Sequence, residues 1–380
     1  MSMLVGIIGA GPAGLLLGRL LHRAGIDAVV FESRDRAHVE QRQRAGILEQ
    51  ATVDALRTAG AADRLEREGI AHDGIDLVFD GTAHRVDFLG TTGARVWIYA
   101  QTEVVKDLIA LRIADGLPLL FDTPVTAVSD LDGRPTIHYG DQTLTCDYIV
   151  GCDGFHGITR PLVPGTGYEL SFPHSWLGIL ADAPPMHHEL VYAHSRRGFA
   201  LASMRSPSVS RMYLQVDNGE DPAAWPDDRI WSELARRFGD HQPNRGPITA
   251  KSVLPMRAWV APTLRHGNLF LAGDAGHIVP PTGAKGLNLA VADVVLLAAS
   301  LAERHRTGSA DLLDAYSDSC LRRVWRAEQF SHFMTTTLHV VPGQSEFDTQ
   351  LQVARLRGIV SSRAAATSLA EEYTGITPAS

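Results

Sequence analysis

Apolar and polar positions follow two different rhythms along the chain. Leu4–Ile8 is an unbroken apolar run of strand length, Pro12–His22 repeats its apolar residues at helical spacing, and Ala28–Glu32 is a second apolar run. Gly25 is placed to stop the helix. Strand, helix and strand in that order predict a βαβ unit, and therefore a parallel sheet with helices on its faces. Between about 70 and 100, and again from about 175 to 255, short apolar runs sit between Gly, Pro, Asp and Ser: LVFDG, RVDFLG, ELVYAHS, GFALASMRS and SRMYLQVD. These predict antiparallel strands and hairpins. From about 287 the helical spacing returns, through ADLLDAYSDSCLRRVWRAEQF. The expected fold is α/β: a Rossmann-like domain, an inserted β-sheet domain and C-terminal helices. Expected boundaries are 1–174 for the first domain, interrupted by sheet-domain strands at about 73–100, then 175–266 for the sheet domain. Residues 267–380 would complete the first domain and form the helical region.

Composition narrows the class without changing this picture. The 380 residues suit two domains, and the formal net charge of -8 argues against a nucleic-acid partner, whose phosphates need a basic face. Cys146, Cys152 and Cys320 cannot make a disulfide framework, and no CxxC or HExxH spacing points to a metal. The apolar N-terminus lacks the basic start of a signal peptide, and Gly6, Gly9, Gly11 and Gly14 interrupt it. The apolar run Leu287–Leu301 contains Asp293 and is short for a bilayer, so a buried helix and no membrane association are expected. Together these features suit a reducing cytoplasm.

Candidate chemistry begins at Gly9-Ala10-Gly11-Pro12-Ala13-Gly14, between the first strand and its helix. Glycines there let the backbone approach a pyrophosphate, which meets free N–H groups and the positive helix end. Glu32 ends the next strand, where a carboxylate can accept hydrogen bonds from a ribose diol. A tight turn with no ligand would look similar, and the motif does not choose between FAD and a nicotinamide dinucleotide. Two further segments favour FAD: CDYIVGCDGFHG from Cys146, and GNLFLAGDAGH from Gly267 followed by IVPPTGAKGLN. The second reads as a buried strand, an acidic turn at Asp274, a Pro/Gly loop and a helix start whose N–H groups suit a reduced, anionic flavin.

The stretch GFALASMRSPSVSRMYLQVD reads as a hairpin turning near Ser208. Symmetric pairing would set Ser203 opposite Tyr213 and Arg205 opposite Arg211, all four on one face. Two guanidiniums and two hydroxyls are costly to bury without an anion, although a solvated outer face of an edge hairpin gives the same pattern.

The three nucleotide motifs, in this order, resemble the FAD-dependent aromatic hydroxylases. RAGILEQ from Arg44, QTE from Gln101, the DGFHG stretch and GDAGHIVPPTGAKGLNLA carry the likeness, which runs from about residue 4 to Tyr373. It implies FAD contacts at Gly9, Gly11, Gly14, Glu32, Arg42, Arg44, Gln101, Asp153, Asp274, Gly283, Leu287 and Asn288. It implies that Ser203, Arg205 and Tyr213 clamp a substrate carboxylate, with Arg211 near the flavin. Tyr192, Tyr373 and a His72 near solvent would relay a phenol proton, and Pro281 and Thr282 would lie over the substrate ring. The implied activity, part of aromatic catabolism, is C3 hydroxylation of 4-hydroxybenzoate by a homodimer, using NADH or NADPH and O2 through a flavin C4a-hydroperoxide. Other benzoates, such as 4-aminobenzoate or 3-hydroxybenzoate, would keep the same clamp, and a non-enzymatic dinucleotide-binding sensor remains a rival of another class. His156 and Arg257 match positions for the nicotinamide coenzyme, as do Ser33, Arg34 and His38. Ser33 and His38 replace an Arg and a Tyr of NADPH-strict relatives, which leaves coenzyme choice open.

Overall fold

The strand Leu4–Ile8 lies inside a six-stranded sheet ordered Arg265–His266, Leu269–Leu271, Tyr148–Gly151, Leu4–Ile8, Asp27–Phe31, Leu119–Leu120. It runs parallel to both its neighbours. The structure, a computed structural model, describes residues 3–42 and 46–376. Sheet flanks the strand Leu4–Ile8 on both edges, helices cover one face, and the small sheet of Val125–Ser129, Thr136–Tyr139 and Gln142–Thr145 covers the other where a helix was expected. It therefore has no wet side, which accounts for its unbroken apolar run. Helix Pro12–Arg23 buries Leu15, Leu16, Leu17 and Leu21, and the chain turns at Gly25 with φ +72°. Beside it packs helix Gly286–Thr307, longer than the expected Leu287–Leu301. At 22 residues with mean hydropathy 1.6, length does not exclude a membrane span. Packing identifies it as a core helix, because Val291, Val294, Leu297 and Leu301 are buried with the first helix and Asp293 is buried and bonded.

The second sheet has eight strands, ordered His277–Ile278, Ile248–Val260, Tyr168–Ala181, Val209–Asp217, Ala200–Ser206, Leu190–Ala193, Gly74–Phe79, Thr82–Asp87. It reaches past the expected boundaries at both ends. Residues 168–174 begin its 14-residue strand, and His277–Ile278 adds an edge. Asp80 and Gly81, both at positive φ, make the tight turn of the Gly74–Asp87 hairpin. One pairing departs from the antiparallel expectation: Leu190–Ala193 runs parallel to Gly74–Phe79. These strands are far apart in sequence, so no hairpin dictates their direction. Val96–Ile98 belongs instead to a small sheet with Ile47–Glu49 and Ile70–His72.

The eight-stranded sheet has two apolar faces. Val78, Val191, Ala200, Ala202, Met212 and Leu214 pack on helix Asp227–Phe238 through Ile230, Trp231, Leu234 and Phe238. That helix lies in a segment expected to hold only strands. The other face presents Leu77, Tyr192, Leu201 and Tyr213 to the C-terminal helices through Phe330, Met334, Leu369 and Tyr373.

Candidate active site

Backbone geometry at the glycine loop excludes side chains at Gly9 and Gly14 and leaves open space at Gly11. Gly9 has φ +108°, and a Cβ there would stand 2.3 Å from the Cys152 carbonyl. A Cβ on Gly14 would meet the Gly9 carbonyl at 2.0 Å, whereas one on Gly11 would meet no atom within 4 Å. No side chain caps helix Pro12–Arg23 at Gly11, so its first-turn N–H groups remain an anion cradle. Glu32 follows the strand Asp27–Phe31 and accepts from Ala10 N at 2.9 Å and Arg34 N at 2.9 Å. Helix Gly286–Thr307 also lacks a capping side chain, and Asp274 is exposed at the turn where Gly273 takes φ +62°. A Cβ on Gly283 would approach Ser331 Oγ to 2.6 Å. Leu287 is partly buried in the first turn of the helix, and Gln101 begins helix Gln101–Ala114. Arg42 is exposed, and Arg44 lies outside the described residues.

Two expected cofactor side chains are already engaged. The Asn288 amide accepts from Glu49 N at 2.9 Å and Thr52 Oγ1 at 2.7 Å, and donates to the Ile47 and Ala284 carbonyls at 3.0 Å each. It therefore shapes the loop, and only its backbone can face a flavin. Asp153 accepts from Thr159 N at 3.0 Å and from the Thr159 hydroxyl, which ties down its own loop.

On the large sheet, Tyr192 pairs with Leu201, and Leu201 pairs with Tyr213. Ser203 pairs with Arg211. The hairpin register is thus shifted by two residues from the expected one, in which Ser203 faced Tyr213. A shift of two leaves each side chain on its face, so Tyr192, Tyr213, Ser203 and Arg211 still project together. Arg205 departs from the expectation, because the shifted register sets Ser203 opposite Arg211 and a bulge between Met204 and Ser206 takes Arg205 out of the ladder. Its Nη2 donates to Thr102 Oγ1 at 2.8 Å, while its Nη1 is buried with no partner. Burial first, and the charge of Arg211 second, lower its pKa from the ordinary guanidinium value. An anion would answer both.

Behind this face lies a buried phenol pair. Tyr192 and Tyr373 hydroxyls are 2.6 Å apart, and Tyr192 also donates to the Thr282 carbonyl at 3.4 Å. Burial first, then Tyr373, pushes the Tyr192 pKa well above the ordinary phenol range; burial also raises that of Tyr373, against the hydrogen bond to Tyr192, which pulls it back. Thr282 is buried and its hydroxyl shares a hydrogen bond with Thr335 at 2.9 Å, in the turn Pro281–Gly283. His72 corrects an expectation. It is fully buried rather than near solvent, its Nε2 lies 3.3 Å from Met204 Sδ, and Nδ1 has no partner. Burial first, then His188, His187 and Arg85, brings its pKa down to about 4.

Residues 2–331 match the FAD binding domain family. The chain is 45% identical to p-hydroxybenzoate hydroxylase of Acinetobacter baylyi, over 99% of this chain and 96% of the relative. The chain belongs to the p-hydroxybenzoate hydroxylase family. It is 26% identical to 3-(3-hydroxy-phenyl)propionate/3-hydroxycinnamic acid hydroxylase of Mycolicibacterium smegmatis, over 82% of this chain and 57% of that one. Among solved structures, p-nitrophenol 4-monooxygenase of Pseudomonas putida shares the fold at TM-score 0.84 and 19% identity, covering 99% of this chain and 100% of that one.

As a family member the chain takes FAD, and the open glycine cradle, the uncapped helix starts and the exposed Asp274 fit that cofactor. The coenzyme candidates lie on two different parts of the chain. Ser33, Arg34 and His38 are exposed around the short helix Arg36–Gln41, whose N-cap Asp35 accepts from His38 N at 2.7 Å. His156 is exposed beside Phe155, and Arg257 stacks 3.7 Å over the Phe155 ring. Among the described residues no cluster of His, Cys, Asp or Glu is placed to hold a metal. Sequence reasoning missed two supports. Asp293 bridges Gly273 N at 3.0 Å and His277 Nε2 at 2.6 Å, fixing the turn that carries Asp274. A lone charge within an apolar helical run was the available signal. Thr102, the partner of Arg205, was hidden beside Gln101.

Proposed function

We propose that the protein hydroxylates 4-hydroxybenzoate at C3, giving 3,4-dihydroxybenzoate with NADH or NADPH and O2. One observation carries this reading. The Arg205 Nη1, buried with no partner, belongs to a guanidinium that feels the charges of Arg211 and Tyr213, and these two share a sheet face with Tyr192, one of a buried pair of phenol hydroxyls. The strands of Tyr192 and Tyr213 are two spacings apart, roughly 9.5 Å. That gap suits one benzene ring with an oxygen-bearing group at each end. Arg205, with Ser203 and Tyr213, takes the carboxylate, for which a planar guanidinium is well shaped. Tyr192 meets the phenol. Because burial keeps Tyr192 un-ionised, it accepts the substrate proton only as it passes its own to Tyr373. Tyr373 releases a proton to water in the same transfer, so the pair stores no charge and the substrate becomes a phenolate with an electron-rich ortho carbon. FAD, when bound, carries electrons from the coenzyme to O2 and delivers the oxygen atom. Pro281 and Thr282 cover the ring and exclude water.

Product identification tests this. The purified yellow protein should oxidise NAD(P)H faster with 4-hydroxybenzoate, and chromatography with mass spectrometry should show 3,4-dihydroxybenzoate. Preferred turnover of 4-aminobenzoate or 3-hydroxybenzoate would move the substrate. Coenzyme left unconsumed with every acid would favour a dinucleotide-binding sensor. The active species is proposed to be a homodimer, which light scattering checks.

A further inference from the structure

We infer that Thr102 is the positioning residue that aims the Arg205 guanidinium, and that through this aim it sets the site's preference for a carboxylate. The inference rests on the reading that this site takes an aromatic acid.

Ser203 gets its direction from the sheet ladder. Arg205 does not, because it sits where a bulge interrupts that ladder, on a long side chain with many rotamers. A contact from outside the sheet supplies the direction. Thr102 lies in the first turn of helix Gln101–Ala114, is buried, and accepts from Arg205 Nη2 at 2.8 Å. A guanidinium is a rigid plane, so fixing Nη2 also fixes where Nη1 points. Nη1 is the buried nitrogen without a partner.

The hydroxyl is itself oriented. Its proton is directed at Glu103 Oε1, 3.4 Å away, which leaves its lone pairs for Arg205. Glu103 is held by Arg64 at 2.5 Å and Lys106 at 2.8 Å. Donation thus runs one way, from Arg205 to Thr102 to Glu103, and each bond polarises the next. The chemistry of the acceptor matters as well. A carboxylate at position 102 would neutralise Arg205 and compete with the ligand. A hydroxyl fixes the geometry and leaves the positive charge available to the ligand.

The test uses FAD-loaded enzyme and two ligands of nearly one shape, 4-hydroxybenzoate and neutral 4-hydroxybenzamide, titrated by flavin absorbance. Thr102→Val keeps the shape and removes the acceptor. It should weaken the acid by about 3- to 12-fold, the net scale of one ordinary hydrogen bond, since the charge itself stays, and leave the amide unchanged. Thr102→Ser should restore the parent acid-to-amide ratio within about twofold, since it returns the same acceptor. Thr102→Ala, should the valine variant fail to fold, is expected to show the same acid-selective loss. A valine or alanine variant with the parent ratio overturns the inference, as does equal weakening of both ligands, which would mark a packing role. If the parent enzyme itself shows no preference for the acid, the underlying reading fails and takes the inference with it. If the parent prefers the acid and Arg205→Ala abolishes that preference while Thr102→Val does not, only the inference fails.

Discussion

The Tyr192 hydroxyl sits between Tyr373 at 2.6 Å and the Thr282 carbonyl at 3.4 Å, so its loss has two separable effects. Tyr192→Phe keeps the ring volume but leaves the Tyr373 hydroxyl buried without its partner, at a cost of about 1–3 kcal/mol in stability. The acid should still bind, because the clamp is at the other end of the ring, and the flavin should still be reduced. Phenolate formation should slow by a factor of about 10² to 10⁴, the usual scale of acid–base assistance. The expected outcome is uncoupling: coenzyme consumed, hydrogen peroxide released, little dihydroxybenzoate made. Product per coenzyme consumed checks this, and a variant as tightly coupled as the parent would remove Tyr192 from the proton path. Arg205→Ala tests the opposite end. It should weaken 4-hydroxybenzoate by about 2–3 kcal/mol, or roughly 30- to 150-fold in Kd, with FAD retained. An unchanged titration midpoint would put the carboxylate elsewhere.

At the scale of elements, we propose that helix Arg36–Gln41 and the turn before it set the choice of reductant. Asp35 spends its carboxylate capping that helix, and Glu32 takes the Arg34 N–H. Arg34 and Arg42 are exposed cations available to a 2′-phosphate, while Asp35 opposes one. Neither influence dominates, so NADH and NADPH should work within about tenfold in kcat/KM, a difference under roughly 1.4 kcal/mol. Steady-state rates with both coenzymes check it, and a hundredfold preference for either would contradict it. Elements also show what a sequence can reveal. The βαβ start and the hairpin strands were legible because burial writes its own period into each segment. The hairpin register was not, since turn symmetry cannot show a bulge. Yet the face of Ser203, Arg211 and Tyr213 survived the two-residue shift, because strand periodicity is two. The internal bonds of Asn288 and Asp153 were hidden for a different reason. Their internal acceptors and donors, such as Thr52 and Thr159, are fixed only by tertiary contact.

In the whole molecule, burial decides properties that no local pattern announces. His174, on a strand of the large sheet, is buried where the C-terminal helices cover it. It stacks 4.5 Å from His339, and neither of its ring nitrogens has a partner. Burial lowers its pKa from 6.5 to about 4. His339 is lowered well below 6.5, by burial first and then by His174, and His194 is also lowered, chiefly by burial. A histidine with a depressed folded pKa is neutral in the fold and takes a proton on unfolding. Its stability contribution is complete above pH 6.5 and falls as pH drops from 6.5 toward 4. The slope is about 1.4 kcal/mol per pH unit for each such ring. Glu328 works in the opposite sense. Burial raises its pKa from 4.5 to about 8, so it is protonated in the fold and loses stability as pH rises across that window. Comparing the parent with His174→Phe cancels Glu328 and the burial of the other histidines. Phe fills the same stack and takes up no proton. Between pH 7 and pH 5 the parent should lose about 2 kcal/mol more than the variant, read from urea unfolding of FAD-loaded protein. Parallel pH curves for the two proteins would mean that His174 finds a proton partner in the fold, and that the covering helices open around it before the sheet unfolds.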